Sequence, residues 1–338
     1  MSTIVLPDGH ASSEARLDPY LDPWAEIERL RRERNAVILA HYYQDSEIQD
    51  LADFVGDSLD LSRKAAATDA DVIVFCGVRF MAEVAKVLNP GKTVLLPDMD
   101  AGCSLEETCP PDEFRRFCEA HADHVVVTYI NCSAEVKALS DVVVTSSNAE
   151  HIIRQLPEDR PILFAPDQHL GAYLARKIGR EMTLWPGTCI VHDRFSEREL
   201  VRLKGRHPDA KVAAHPECHE GILKHADHVG STRSILDFVL NAPGKEFIIA
   251  TERHIIHQMK KAAPAKTFIP APGADGSCNC ADCPFMELNT IEKLHLCLLN
   301  MAPRVEMPED LRRRAYQPLQ RMMEMSPPPK PAVARAAE

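Results

Sequence analysis

Nothing in Met1 to Tyr20 pairs a basic region with an apolar run, so no export signal is expected. No stretch of about 18 apolar residues occurs, which argues against a membrane-spanning helix. Positive charge is scarce. The chain has 39 Lys and Arg against 50 Asp and Glu, a net charge of −11. Bulk nucleic-acid binding needs a basic surface and is not expected. An anionic substrate is still compatible, because one cleft can be locally positive. No Pro-, Gly- or Ser-rich linker divides the body of the chain. The 338 residues are 45% hydrophobic, enough for a buried core and for two or three domains. The 11 cysteines, with no export signal, point to reduced thiols in the cytoplasm, metal ligands or catalysis rather than a disulfide framework.

Three stretches share one order of strands and helices. The first strands are Ala36–Ala40, Val125–Thr128 and Lys211–Ala214. They run into polar clusters at His41-Tyr42-Tyr43, Tyr129-Ile130-Asn131 and His215-Pro216-Glu217. A short strand then ends at Gly56-Asp57-Ser58, Thr145-Ser146-Ser147 and Gly230-Ser231-Thr232. Third strands follow at Val72–Cys76, Ile162–Ala165 and Phe247–Ala250, and fourth strands at Thr93–Pro97, Thr183–Pro186 and Thr267–Pro270. His41, Tyr129 and His215 are spaced by 88 and 86 residues, and Ser58, Ser146 and Ser231 by 88 and 85. Landmarks of different chemistry keeping register over three units mark a repeat. Strands alternating with helices predict parallel sheets covered on both faces. The expected fold is α/β: three similar αβα three-layer units in a pseudo-threefold arrangement around a central site. The alternative is three beads, each with its own site. The units are placed at 21–112, 113–193 and 194–286, with helices in 287–325 closing on the first. Residues 1–20 and 326–338 read as extensions.

Ligands bind beyond the carboxyl ends of parallel strands. The polar clusters and the residues Ser58, Ser146 and Ser231 fall there. The three serines read as helix N-caps, and helix N-termini receive anions. His41, Tyr43, Tyr129, Asn131, His215 and Glu217 form a convergent polar set, in which a carboxylate and an imidazole can exchange protons. Each unit also carries a cysteine after its fourth strand: Cys103, Cys189 and Cys283, spaced by 86 and 94 residues. Three thiolates without an obvious fourth suit an iron–sulfur cluster with one open iron, a Lewis acid. A local zinc or redox site at Cys278, Cys280 and Cys283 is the competing reading, although structural zinc usually needs four ligands. Cys76 and Cys297 read as core, and Cys109, Cys118, Cys132 and Cys218 receive no ligand role. His192, three residues after Cys189, is placed near the cluster.

The strings LAHYYQ (Leu39–Gln44), GDSL (Gly56–Leu59), CGVRFMAE (Cys76–Glu83), AGCSL (Ala101–Leu105), SAEVKALSD (Ser133–Asp141), TSSNA (Thr145–Ala149), APDQHLG (Ala165–Gly171), CIVHD (Cys189–Asp193), HPEC (His215–Cys218), GST (Gly230–Thr232) and CPFM (Cys283–Met286) resemble the quinolinate synthase family. The resemblance runs from about residue 25 to 325. It implies condensation of iminoaspartate with dihydroxyacetone phosphate to quinolinate, phosphate and water, in the de novo synthesis of NAD. It implies one [4Fe-4S] cluster on Cys103, Cys189 and Cys283, whose fourth iron binds intermediates. It places substrate contacts at His41, Ser58, Tyr129, Asn131, Ser146, His215, Glu217 and Thr232, and Ser231 is grouped with them. Tyr43, Glu217 and His41 are the expected catalytic residues. An aspartate oxidase or dehydrogenase is the expected source of iminoaspartate. Where some members carry C-x-x-C-x-x-C, this chain has C-x-C-x-x-C, and only Cys283 with its following proline matches.

Overall fold

The computed structural model describes residues 22–274 and 281–328. The apolar runs, rich in Val and Ile, become strands because β-branched side chains pack well on a pleated surface. Strands β1 (Ala36–His41), β2 (Phe54–Gly56), β3 (Val72–Cys76) and β4 (Thr93–Leu95) pair in the order β2-β1-β3-β4. β5 (Val125–Tyr129), β6 (Val142–Val144), β7 (Ile162–Ala165) and β8 (Met182–Leu184) repeat the pattern as β6-β5-β7-β8. β9 (Lys211–Ala214), β10 (His228–Val229), β11 (Glu246–Ala250) and β12 (Thr267–Pro270) repeat it again as β10-β9-β11-β12. Every neighbouring pair is parallel. Parallel strands need crossovers, here mostly helices, and these cover both faces. The fold is therefore α/β, with three separate four-stranded parallel sheets flanked by helices. No helix among the described residues is long and apolar enough to cross a membrane.

An aspartate bond, partly buried, repeats with the strands. Asp53, Asp141 and Asp227 each follow the helical segment after a first strand. Each takes the backbone N–H of the residue 15 positions earlier: Ile38 at 2.8 Å, Val126 at 2.9 Å and Val212 at 2.8 Å. Each also donates its own N–H to that same residue's carbonyl. This clip fastens the start of every second strand to the first.

Side chains alternate between the faces of each sheet. On β1, Val37 and Leu39 join one apolar cluster and Ile38 and Ala40 another. The first and second sheets share one apolar cluster, whereas the third sheet has a separate cluster on each face, one of which takes in Tyr42 of the first unit. The helix Ile291–Asn300 packs beside Pro23–Glu33 on the first unit. The helix Glu309–Met325 touches two units. It lies against β6 and the Ala134–Lys137 turn of the second as well as helix Arg79–Leu88 of the first, burying Leu311, Ala315, Leu319 and Met322. The first of these helices begins later than 287, after its N-cap Thr290, and the second follows its N-cap Pro308. The extension 1–20 and residues 329–338 lie outside the described residues.

Candidate active site

The parallel register brings the carboxyl ends of the central strands to one place. There a cavity of about 60 Å³ is lined from all three units. His41 ends β1, Tyr129 ends β5, and His215 directly follows β9. Tyr43, Asn131 and Glu217 come two residues further on in the corresponding turns. Ser58, Ser146 and Thr232 line the same cavity from the ends of the second strands. Cys103, Cys189 and Cys283 close it from the loops after the fourth strands.

The turns fix the histidine tautomers. The Tyr43 N–H reaches His41 Nδ1 at 3.2 Å, and the Glu217 N–H reaches His215 Nδ1 at 3.3 Å. Nδ1 is an acceptor in both rings, so in the neutral form the proton sits on Nε2. Burial, reinforced by a nearby imidazole, pushes His41 and His215 down to about 3. Burial also pushes the Tyr43 and Tyr129 hydroxyls well up.

Glu217 stands at one end of a chain of hydrogen bonds. The Tyr129 hydroxyl donates to Oε1 at 2.6 Å, and His192 Nδ1 lies 2.9 Å from Oε2. His192 Nε2 is 2.9 Å from Thr251 Oγ1, which is 2.6 Å from the Tyr43 hydroxyl. That hydroxyl meets Thr232 Oγ1 at 2.9 Å. Burial resists the Glu217 charge, but His192 and the Tyr129 hydroxyl outweigh it and hold the carboxyl below its ordinary range. Asn131 Oδ1 and Thr145 Oγ1, both at this cavity, are buried with no partner among the described residues. Orphan groups of this kind mark places a ligand satisfies.

Each cysteine sulfur faces backbone N–H groups further along its own turn. Leu105 and Glu106 serve Cys103, His192 serves Cys189, and Phe285 and Met286 serve Cys283. His192 Nδ1 also lies 3.2 Å from Cys189 Sγ. Burial nonetheless pushes all three thiols up, Cys283 to about 12. A buried thiol that resists ionisation becomes a thiolate when a metal supplies the compensating charge. The donor set therefore fits a metal group. Ligand atoms of Cys189, His192 and Glu217 lie within 4.8 Å of one another, as do those of Glu252, His254 and Asp282.

Comparison with known proteins agrees with this arrangement. The family model described as NadA, quinolinate synthetase A protein, matches residues 25–324. A quinolinate synthase of Synechococcus sp. is 57% identical over 316 residues, covering 94% of this chain and 99% of the relative. One from Prochlorococcus marinus is 59% identical over 299 residues, 88% of this chain and 90% of its own. One from Chloroherpeton thalassium is 56% identical over 306 residues, 90% and 95% of the two chains. The chain belongs to the quinolinate synthetase A family.

Against this family frame, one residue expected at the substrate falls elsewhere. Ser231 does not line the cavity. It is the N-cap of helix Thr232–Asn241, its hydroxyl taking the Ser234 N–H, and Thr232 is the residue that faces inward. The expectation that Ser58 and Ser146 are N-caps is also corrected. Asp57 caps helix Ser58–Ala67, accepting from Leu59 and Asp60, and Asn148 precedes helix Ala149–Ile153. Cap and first helical residue are neighbours in sequence and differ in backbone angle, so the spacing alone misplaced them by one or two positions.

Cys76 and Cys297 are buried in the first unit's core as read. Cys109, Cys118, Cys132 and Cys218 lie outside the cavity lining. Cys278 and Cys280 fall outside the described residues. Thr251 and Glu252 were not singled out in the sequence. The signal was available: they directly follow the central strand β11, where ligand-facing residues gather.

Proposed function

We propose that this chain is a quinolinate synthase. It condenses iminoaspartate with dihydroxyacetone phosphate to give quinolinate, phosphate and water in NAD biosynthesis. The observation that carries this reading is the convergence of three cysteines and a hydrogen-bonded acid–base set in one cavity, on a chain of this family. Both substrates are anions, and the site suits anions without a basic surface. His41 and His215 are neutral donors through Nε2. The hydroxyls of Ser58, Ser146 and Thr232, with Asn131, bind carboxylate and phosphate oxygens. Two of them, Ser58 and Thr232, also open helices, whose free N–H groups favour negative charge.

The reaction needs several proton transfers. Glu217 is the base, held charged and oriented by Tyr129 and His192. Tyr43 delivers or accepts a proton at its hydroxyl, and Thr251 and His192 connect it with Glu217. Burial keeps bulk water from competing for these protons.

Cys103, Cys189 and Cys283 hold one [4Fe-4S] cluster. No fourth cysteine lines the cavity among the described residues. When bound, such a cluster supplies a Lewis acid at its unligated iron. We place the enzyme in the cytoplasm, with an aspartate oxidase or dehydrogenase supplying iminoaspartate.

The test is anaerobic reconstitution with iron and sulfide, followed by assay with dihydroxyacetone phosphate and iminoaspartate. Quinolinate is the expected product, and replacing any one of Cys103, Cys189 and Cys283 by Ala should abolish it. A reconstituted protein that holds iron and sulfide yet makes no quinolinate would overturn the activity assigned here.

A further inference from the structure

The three cysteines are fastened differently. The Cys103 and Cys189 segments hold each other through Ser104, whose Oγ takes the Ile190 N–H at 3.0 Å and reaches the Thr188 carbonyl at 3.4 Å. Cys283 is also gripped from outside, by the turn that follows β11. Glu252 Oε1 lies 3.4 Å from the Cys283 backbone nitrogen. The Arg253 N–H donates to the Ala281 carbonyl at 3.2 Å. The Arg253 guanidinium pairs with Asp282. Two consecutive residues thus hold three consecutive residues, the last of them a cysteine of the cavity.

Glu252 is fully buried and lines the same cavity. A buried carboxylate is costly unless its oxygens are paired. His254 provides that pairing, with Nδ1 at 2.7 Å from Oε1 and its backbone N–H at 2.8 Å from Oε2. The grouping of Glu252, His254 and Asp282 is therefore satisfied by its own neighbours. It acts as a fastening, not as a cation site.

We infer that Glu252 and Arg253 are positioning residues that hold Cys283 in register with Cys103 and Cys189. The inference rests on the reading of these cysteines as cluster ligands. Groups that orient metal ligands typically change metal affinity by about 10- to 100-fold when removed.

The test uses the full chain, reconstituted anaerobically, with Glu252→Ala, Glu252→Gln and Arg253→Ala. Iron and sulfide per chain, the visible and electron-paramagnetic-resonance spectra of the cluster, and the rate of iron release to a chelator are measured. Glu252→Ala and Arg253→Ala should release iron about 10-fold faster or more. Glu252→Gln should fall between Glu252→Ala and the unaltered protein, because an amide oxygen still accepts from the Cys283 N–H. The Arg253 side chain is 39% exposed, so its replacement leaves the core intact, and thermal unfolding confirms this. Release rates and spectra in Glu252→Ala and Arg253→Ala equal to the unaltered protein would overturn the inference. An unaltered protein that binds neither iron nor sulfide would instead overturn the three-cysteine reading beneath it.

Discussion

Glu217 and the two histidines beside it occupy the same buried space and ionise in opposite senses. Glu217 is 3% exposed and stays charged because Tyr129 and His192 donate to it. His41 and His215 are 4% and 2% exposed and stay neutral, because burial lowers both to about 3. An unfolded histidine titrates near about 6.5. Between about 6.5 and about 3 the unfolded chain binds more protons at these sites, so stability falls as pH falls through that window. The expected slope is about 1.4 kcal/mol per pH unit for each site. Urea unfolding of the cluster-free protein at pH 7, 6 and 5 measures it. The double replacement His41→Asn and His215→Asn should flatten the slope by about two protons. An unchanged slope would show that these rings are not neutral in the folded state.

Strands and helices are fastened by short polar contacts that recur once per unit. The aspartate clip is the clearest, with Asp53, Asp141 and Asp227 spaced by 88 and 86 residues, the interval that separates the first strands. Asp141 binds the Val126 N–H at 2.9 Å and is partly buried. Asp141→Ala should cost about 1 kcal/mol, the net worth of one such bond. Asp141→Asn keeps an acceptor oxygen and should cost less. Equal losses for both in urea unfolding would show that charge, not the bond, is what matters. At the neighbouring turn, Asp57 both caps its helix and accepts from the Ser147 hydroxyl at 2.5 Å, which in turn meets Ser231 at 2.8 Å. One side chain from each unit thus joins the three ends behind the cavity.

The units do not join alike across the whole molecule. The first and second share an apolar cluster, sealed by helix Glu309–Met325. The first and third meet through Tyr42, which enters a cluster of the third unit, and through many polar groups. Gln49 reaches the His254 carbonyl and Gln258, Asp50 holds His257 and Lys261, and Arg233 faces Asp60. Polar interfaces within a chain favour relative motion. Hydrogen exchange should therefore open around residues 44–50 and 254–258 at lower free energy than in β3 and β7. Equal protection in both regions would contradict a mobile third unit.

Much of this was legible before any coordinates. The repeat, the four parallel strands per unit and the meeting of Cys103, Cys189 and Cys283 follow from period and spacing, because identical topologies place equivalent loops at equivalent strand ends, whereas the order of the strands in each sheet does not. The aspartate clip is equally regular, with Asp53, Asp141 and Asp227 at the same interval. Other features depend on how three bodies pack. The path from Tyr43 through Thr251 and His192 to Glu217 joins four separate segments, and no local pattern encodes which hydroxyl meets which ring. The neutral state of His41 and His215 comes from burial by elements distant in the chain. Whether a polar residue caps a helix or faces the cavity, as with Ser231 and Thr232, turns on one backbone angle that only the assembled structure sets.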